Sequence, residues 1–131
     1  MRTKGDQDVP AVSFVLVLML FLAACKPPPD AGTEMTGADP ARGLAAIERA
    51  GCAACHSIPG IRWPAGRVAP TLEAFGNRTL IAGRLPNRPD LLAAFVRDAP
   101  STLPGTTMPA MPLGETEARD VAAYLYSLRS R

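Results

Sequence analysis

An all-α domain of about three main helices and long loops is predicted by three observations. Apolar residues recur at helical spacing in three separate segments after residue 38. Each of those segments opens on helix-start chemistry. The stretch from Ser57 to Asn87 is dominated by Gly, Pro and Arg and shows no clean alternation, so negligible strand content is expected.

The first helix is signalled by Asp39-Pro40, an N-cap followed by proline at the first helical position. It continues through Leu44, Ala45, Ile47 and Ala50 to Gly51. The second opens near Arg88-Pro89-Asp90, carries Leu91, Leu92, Phe95 and Val96, and is expected to end before Pro100. The third starts after Gly114. Glu115 and Glu117 occupy its first turn, where the helix dipole favours negative charge. Val121, Tyr124, Leu125 and Leu128 form its apolar stripe, with Arg129 and Arg131 at its C-terminal end.

The chain ahead of these helices has a different organisation. Arg2 and Lys4, diluted by Asp6 and Asp8, precede an apolar run from Val9 to Ala24 broken only by Pro10 and Ser13. Such a run is a short export-signal core, because a membrane-spanning helix needs about 20 apolar residues. It closes on Leu22-Ala23-Ala24-Cys25, which resembles the lipobox of bacterial lipoproteins. That resemblance implies removal of residues 1–24 as a signal peptide and lipidation of Cys25. The alternative is an ordinary signal peptide with Cys25 incidental. Lys26 to Ala38, including Pro27-Pro28-Pro29, has no apolar periodicity and reads as a flexible tether, so residues 25–38 form the lipidated cysteine and its linker. Residues 39–131 form one small domain, of a size that often needs a metal or cofactor to complete its core.

Cys52-Ala53-Ala54-Cys55-His56 is the segment that carries chemistry. The C-x-x-C-H pattern reads as a covalent haem attachment site. Its two thiols can bond two vinyl groups, and the adjacent imidazole can reach the iron. His56 is the only histidine in the chain, so no second histidine can be the opposite ligand. A redox disulfide would call for a βαβ setting, which is not visible, and a zinc site for about four Cys or His ligands. Of the three cysteines, Cys25 is accounted for by lipid and Cys52 and Cys55 by haem.

The order of helix, C-x-x-C-H, Pro-rich loop, Met-Pro and C-terminal helix with Tyr-Leu resembles class I mono-haem cytochrome c, of the bacterial respiratory-chain type. The segments carrying the resemblance are Gly51 to Ile61, Arg78-Thr79-Leu80-Ile81-Ala82-Gly83, and Thr107-Met108-Pro109 through to Ala122-Ala123-Tyr124-Leu125. It implies the cytochrome c fold wrapped around one covalently bound haem c and its iron. It also assigns roles. Pro70, in Ala69-Pro70-Thr71-Leu72, is implied to accept a hydrogen bond from the proximal His56 through its carbonyl, with Ala69 where the family carries glycine. Arg78 is implied to sit near the haem propionates. Leu80 and Phe95 stand where relatives often carry Tyr and Trp, and neither can donate to a propionate. Trp63, the lone tryptophan, could supply an N–H, though its place is not fixed by the sequence. Tyr124 and Leu125 are implied to cross the first helix close to Gly43.

Met108 and Met111 are the candidates for the sixth ligand. Counting back from Tyr124 without a gap puts Met108 on the family's ligand position, with Met111 on an apolar position beside the haem. Met108 is therefore the expected ligand and Met111 the runner-up. A neutral, soft thioether favours the reduced iron and raises the potential.

These readings imply an electron carrier rather than a self-contained enzyme. It would be lipid-anchored on the periplasmic side of a bacterial membrane and monomeric outside a complex. Redox protein partners are expected, a haem-copper oxidase or a dehydrogenase among them, and no nucleic acid. The alternatives are a haem subunit of a larger oxidase or dehydrogenase complex, or a ligand-binding or peroxidase-like haem protein. Six arginines against Glu73 and Asp90 between Ser57 and Arg97 are compatible with docking on an acidic patch, or with solvated loops.

Overall fold

The computed structural model describes residues 35–129. The expected export signal, Cys25 and most of the expected tether lie outside the described residues, as does Arg131. Among the described residues no helix is long and apolar enough to cross a membrane.

Among the described residues, four α-helices, two single 3-10 turns and one minimal hairpin make up the domain. In chain order the α-helices and strands are α1 (Pro40–Ala50), β1 (Leu80–Ile81), β2 (Leu85–Pro86), α2 (Pro89–Arg97), α3 (Ala99–Thr102) and α4 (Glu115–Ser127). The start of α1 follows its local chemistry. The Asp39 carboxylate accepts from the N–H groups of Ala41 at 2.8 Å and Arg42 at 3.4 Å, and Pro40 takes the position that needs no donor. At the other end Gly51 adopts φ 73°, the left-handed conformation that closes a helix most easily when no Cβ is present. Helix α4 begins on Gly114, whose N–H donates to Glu117 Oε2 at 2.9 Å. Glycine has no side chain to return the bond, so only half of a capping box forms. That N–H, the first cause, holds the Glu117 carboxyl below its usual value.

The second predicted helix ends before Pro100, as expected, and a short extra helix follows it. α2 stops at Arg97, and Asp98 then caps the short α3 by accepting from Ser101 N at 3.2 Å and Ser101 Oγ at 2.7 Å. Pro100 lies within the first turn of α3, where proline is tolerated. The hairpin, two residues on each side, is in keeping with the negligible strand content expected, though its place was not foreseen. Arg84 N bonds Ile81 O at 3.0 Å, with Ala82 at φ 48° and Gly83 at φ 69° between them. Two consecutive positive φ angles make a type I′ turn, which matches the twist of the strands it joins. Its usual first residue is Asn or Asp; alanine there pays about 1–2 kcal/mol of steric cost and hides the hairpin from sequence patterning.

The core lies where α1, α2 and α4 meet. Ala46, Ile47, Leu92, Phe95, Val96, Val121, Ala122 and Leu125 are all buried in it. Helices α1 and α4 cross at Gly43, where a Cβ would fall 2.0 Å from the Asp120 carbonyl oxygen and 3.0 Å from Tyr124 Cβ. Backbone therefore rests on backbone at this crossing. Asp120 completes it. This carboxylate is only 3% exposed. It accepts from Asp39 N at 2.7 Å, Arg42 Nε at 2.8 Å and Arg42 Nη2 at 2.9 Å.

The Arg42 guanidinium, more than burial can oppose, holds the Asp120 carboxyl below its usual value, and the Asp39 N–H adds to the effect. A folded value below the unfolded one contributes stability above an unfolded carboxylate value of about 3.9, and that contribution is lost as pH falls through the folded value. Asp120→Asn is expected to cost about 2 kcal/mol at neutral pH, less than a wholly buried pair because Arg42 stays half in water. It should also flatten the loss of stability below about pH 4. Urea denaturation at pH 7 and pH 3 checks both, and an equal acid slope in the two proteins would count against the assignment.

Candidate haem site

The left-handed turn at Gly51 redirects the chain into a single 3-10 turn, Cys52–Ala54. The Cys52 carbonyl accepts from Cys55 N at 3.2 Å and from His56 N at 3.0 Å. One helical turn thus brings Cys52, Cys55 and His56 to a common face, since residues three and four apart are surface neighbours. Both thiols are free. Cys52 is half-buried, and that burial pushes its thiol above the usual value. A redox-active C-x-x-C needs the opposite, a thiol with a lowered value.

The loop that follows is bonded back onto this turn. Gly66 N donates to Ala53 O at 2.8 Å, Ala69 N to Cys55 O at 3.1 Å, and Leu72 N to Ser57 O at 2.8 Å. Gly66 is needed for the approach, because a Cβ there would sit 2.3 Å from the Cys55 carbonyl carbon. These bonds set the Pro70 carbonyl oxygen 2.7 Å from His56 Nδ1. A carbonyl can only accept, so Nδ1 carries a proton, and in the neutral ring Nε2 keeps its lone pair. Ala69 is absent from the positive-φ residues, so this turn makes no demand for glycine.

Arg78 is held on the same loop. Its Nη2 donates to the carbonyls of Thr71 and Glu73, and its guanidinium lies over the Phe75 ring, 5.3 Å from the centroid. Asn87 supports the segment from the other side, with Nδ2 donating to Arg78 O at 2.8 Å and Oδ1 accepting from Tyr126 OH at 2.8 Å. Tyr124 OH donates to Pro59 O, which ties α4 to the chain just after His56. Sequence reasoning placed Tyr124 at the helix crossing and missed its hydroxyl, along with Asn87, Tyr126 and Gly66. Phe95 is in the core, Leu80 is partly exposed, and Trp63 lies on the surface at 86% exposure.

Met108 and Met111 are both half-buried and packed against the core. Met111 is pinned by its backbone, with Met111 N donating to Arg97 O at 2.9 Å beside the Asp98–Ala110 bridge. The Met108 N–H reaches only its own loop, donating to Thr106 Oγ1 at 3.4 Å.

Residues 40–129 match the family model described as cytochrome c. The chain belongs to the cytochrome c family. It is 37% identical over 89 residues to cytochrome c oxidase subunit 2 of Alkalihalophilus pseudofirmus, a match covering 67% of this chain and 25% of that relative. The chain therefore spans about a quarter of that relative's length. Its structure is similar to the crystal structure of SoxXA from P. pantotrophus. That likeness has a TM-score of 0.54 and 25% identity, and it covers 71% of this chain and 83% of that one.

Membership brings a covalently bound c-type haem with iron, and the residues present fit it. This cytochrome offers two free thiols and an imidazole on one turn, with the imidazole's far nitrogen left as a base. It also offers half-covered apolar side chains packed against the core, among them Ile61, Leu72, Met108 and Met111. Such a haem supplies one reversible electron, and electron transfer is the activity of the family. Domains of this family are typically exported.

Proposed function

We propose that this cytochrome is a membrane-tethered carrier of single electrons between respiratory-chain partners, with His56 and Met108 as the axial pair of its haem. Residues 1–24 are the removed export signal. Cys25 carries lipid on the periplasmic side of a bacterial membrane, and residues 25–38 link it to the domain. The observation that carries the reading is the 2.7 Å contact between His56 Nδ1 and Pro70 O on the attachment turn. It keeps the ring in one tautomer and makes its other nitrogen a stronger donor. Met108 supplies the thioether, and Arg78, already carried by the Thr71 carbonyl, is the donor nearest in role to the propionates. With both axial positions filled by protein, no place is left for a substrate, so the domain moves electrons rather than performing a reaction of its own.

The similarity to an oxidase subunit favours a second reading, in which the domain works as the haem part of a larger oxidase complex. Both readings share one test. A redox titration followed by visible spectroscopy on the full-length, haem-matured protein is expected to give one single-electron transition. The iron should stay low-spin in both states, and the reduced form should not react with carbon monoxide. High-spin iron or carbon monoxide binding would sink the carrier reading. Cys25→Ser is expected to move the same protein out of the membrane fraction, and retention there would remove the lipid anchor.

A further inference from the structure

Trp63 and Val68 are 86% and 83% exposed, the most exposed large apolar side chains among the described residues. Both belong to one loop. Single exposed apolar residues are ordinary on protein surfaces. Here the pair flanks Gly66, the residue bonded to the haem-attachment turn through Ala53 O. Arg62 and Arg67, each next in sequence to one of the two, are exposed as well. No acidic residue occurs between Ser57 and Leu72, so the loop itself carries only positive charge, with Glu73 sharing the hollow that Arg62 lines.

We propose that the Arg62–Val68 loop is the docking surface for an acidic redox protein, with Trp63 as its apolar anchor and Arg62 and Arg67 as its charged flanks. This rests on the carrier reading given above. An exposed tryptophan beside arginine is the composition that dominates the energetics of protein interfaces, and complementary charge steers and orients the encounter. The position of the loop supplies the reason for docking there. Gly66 N–Ala53 O and Ala69 N–Cys55 O connect it directly to the backbone of the attachment turn. A partner seated on it is therefore one hydrogen bond from the segment that holds the cofactor. One electron crosses in each encounter, and the partner's own centre gains or loses that same electron. An anionic lipid surface would also attract Trp and Arg, but it exchanges no electron.

The test uses the full-length, haem-loaded protein and respiratory membranes of the bacterium that produces it. Trp63→Ser is expected to raise the KM for oxidation by those membranes about tenfold, as truncation of an interface tryptophan does, with kcat unchanged. Arg62→Gln with Arg67→Gln should raise KM and flatten the fall in rate with increasing salt. Haem spectrum and reduction potential should stay as in the unaltered protein. An unchanged KM in both variants overturns the docking surface. So does a shifted spectrum or potential in Trp63→Ser, which would place that side chain against the haem. Binding to phosphatidylglycerol vesicles that weakens in Trp63→Ser assigns the loop to the membrane and also overturns it. An unaltered protein that the membranes neither oxidise nor reduce overturns the carrier reading itself, and this proposal with it.

Discussion

Replacing Met108 by alanine is expected to lower the reduction potential by on the order of 0.2 V, a fraction of the roughly 0.8 V range that axial ligands command. The sign follows from the ligand. A neutral, polarisable thioether stabilises the reduced iron more than the oxidised iron, and alanine offers nothing in its place. The same variant should lose the weak sulfur-to-iron charge-transfer band of the oxidised protein and let the reduced protein bind carbon monoxide. Met111→Ala is the discriminating control. Its backbone is held by Arg97 O whatever the side chain, so losing the thioether there should cost packing and leave the band in place. If the band disappears in Met111→Ala and survives in Met108→Ala, the axial assignment moves to Met111.

Gly43→Ala is expected to destabilise the domain by about 3 kcal/mol, at the upper end of what overpacking usually costs. On helix propensity alone the change would help, by roughly 1 kcal/mol. The two effects therefore have opposite signs, and the experiment tells which wins. A methyl group at this position would overlap the Asp120 carbonyl, with 2.0 Å to the oxygen and 2.6 Å to the carbon. Both atoms are backbone and cannot rotate aside, so α1 and α4 would have to separate. That would also pull Asp120 from Arg42 and Asp39. Urea denaturation of the haem-loaded protein gives the value. Ala45→Gly, on the exposed side of α1, should show the propensity cost without the clash. A stabilised Gly43→Ala would refute the close approach.

The parts of the fold that could be read in advance are those set by neighbours in the chain. Asp39-Pro40 and Gly51 bound α1 because capping and a left-handed turn involve residues only a few positions apart. The same holds for the Cys52–His56 turn. The hairpin escaped because Ala82 occupies a backbone region that alanine rarely adopts, so its residue type carries no turn signal. Pro100 correctly marked the end of α2, but a proline boundary does not tell that a short new helix starts around it, so α3 was missed. Asp120 illustrates a different limit. It stands four residues before Tyr124, on the face that packs against α1, where an acidic side chain breaks the apolar pattern. The clue was there in that break and in Arg42 beside Gly43, but only the crossing of the two helices makes them partners. Arg78 was expected at the propionates through resemblance; its grip on the Thr71 and Glu73 carbonyls depends on a loop path that no local rule specifies.

The way the loop after His56 is fastened has a kinetic consequence. His56, its acceptor Pro70 and the three backbone bonds from Gly66, Ala69 and Leu72 all belong to one short cross-linked stretch of chain. The imidazole and the group that orients it therefore move together or not at all. With His56 as the proposed ligand, few protein dipoles around it would be free to turn when the iron's charge changes by one. The expected consequence is a small reorganisation energy on that side of the haem, and exchange of electrons with little driving force.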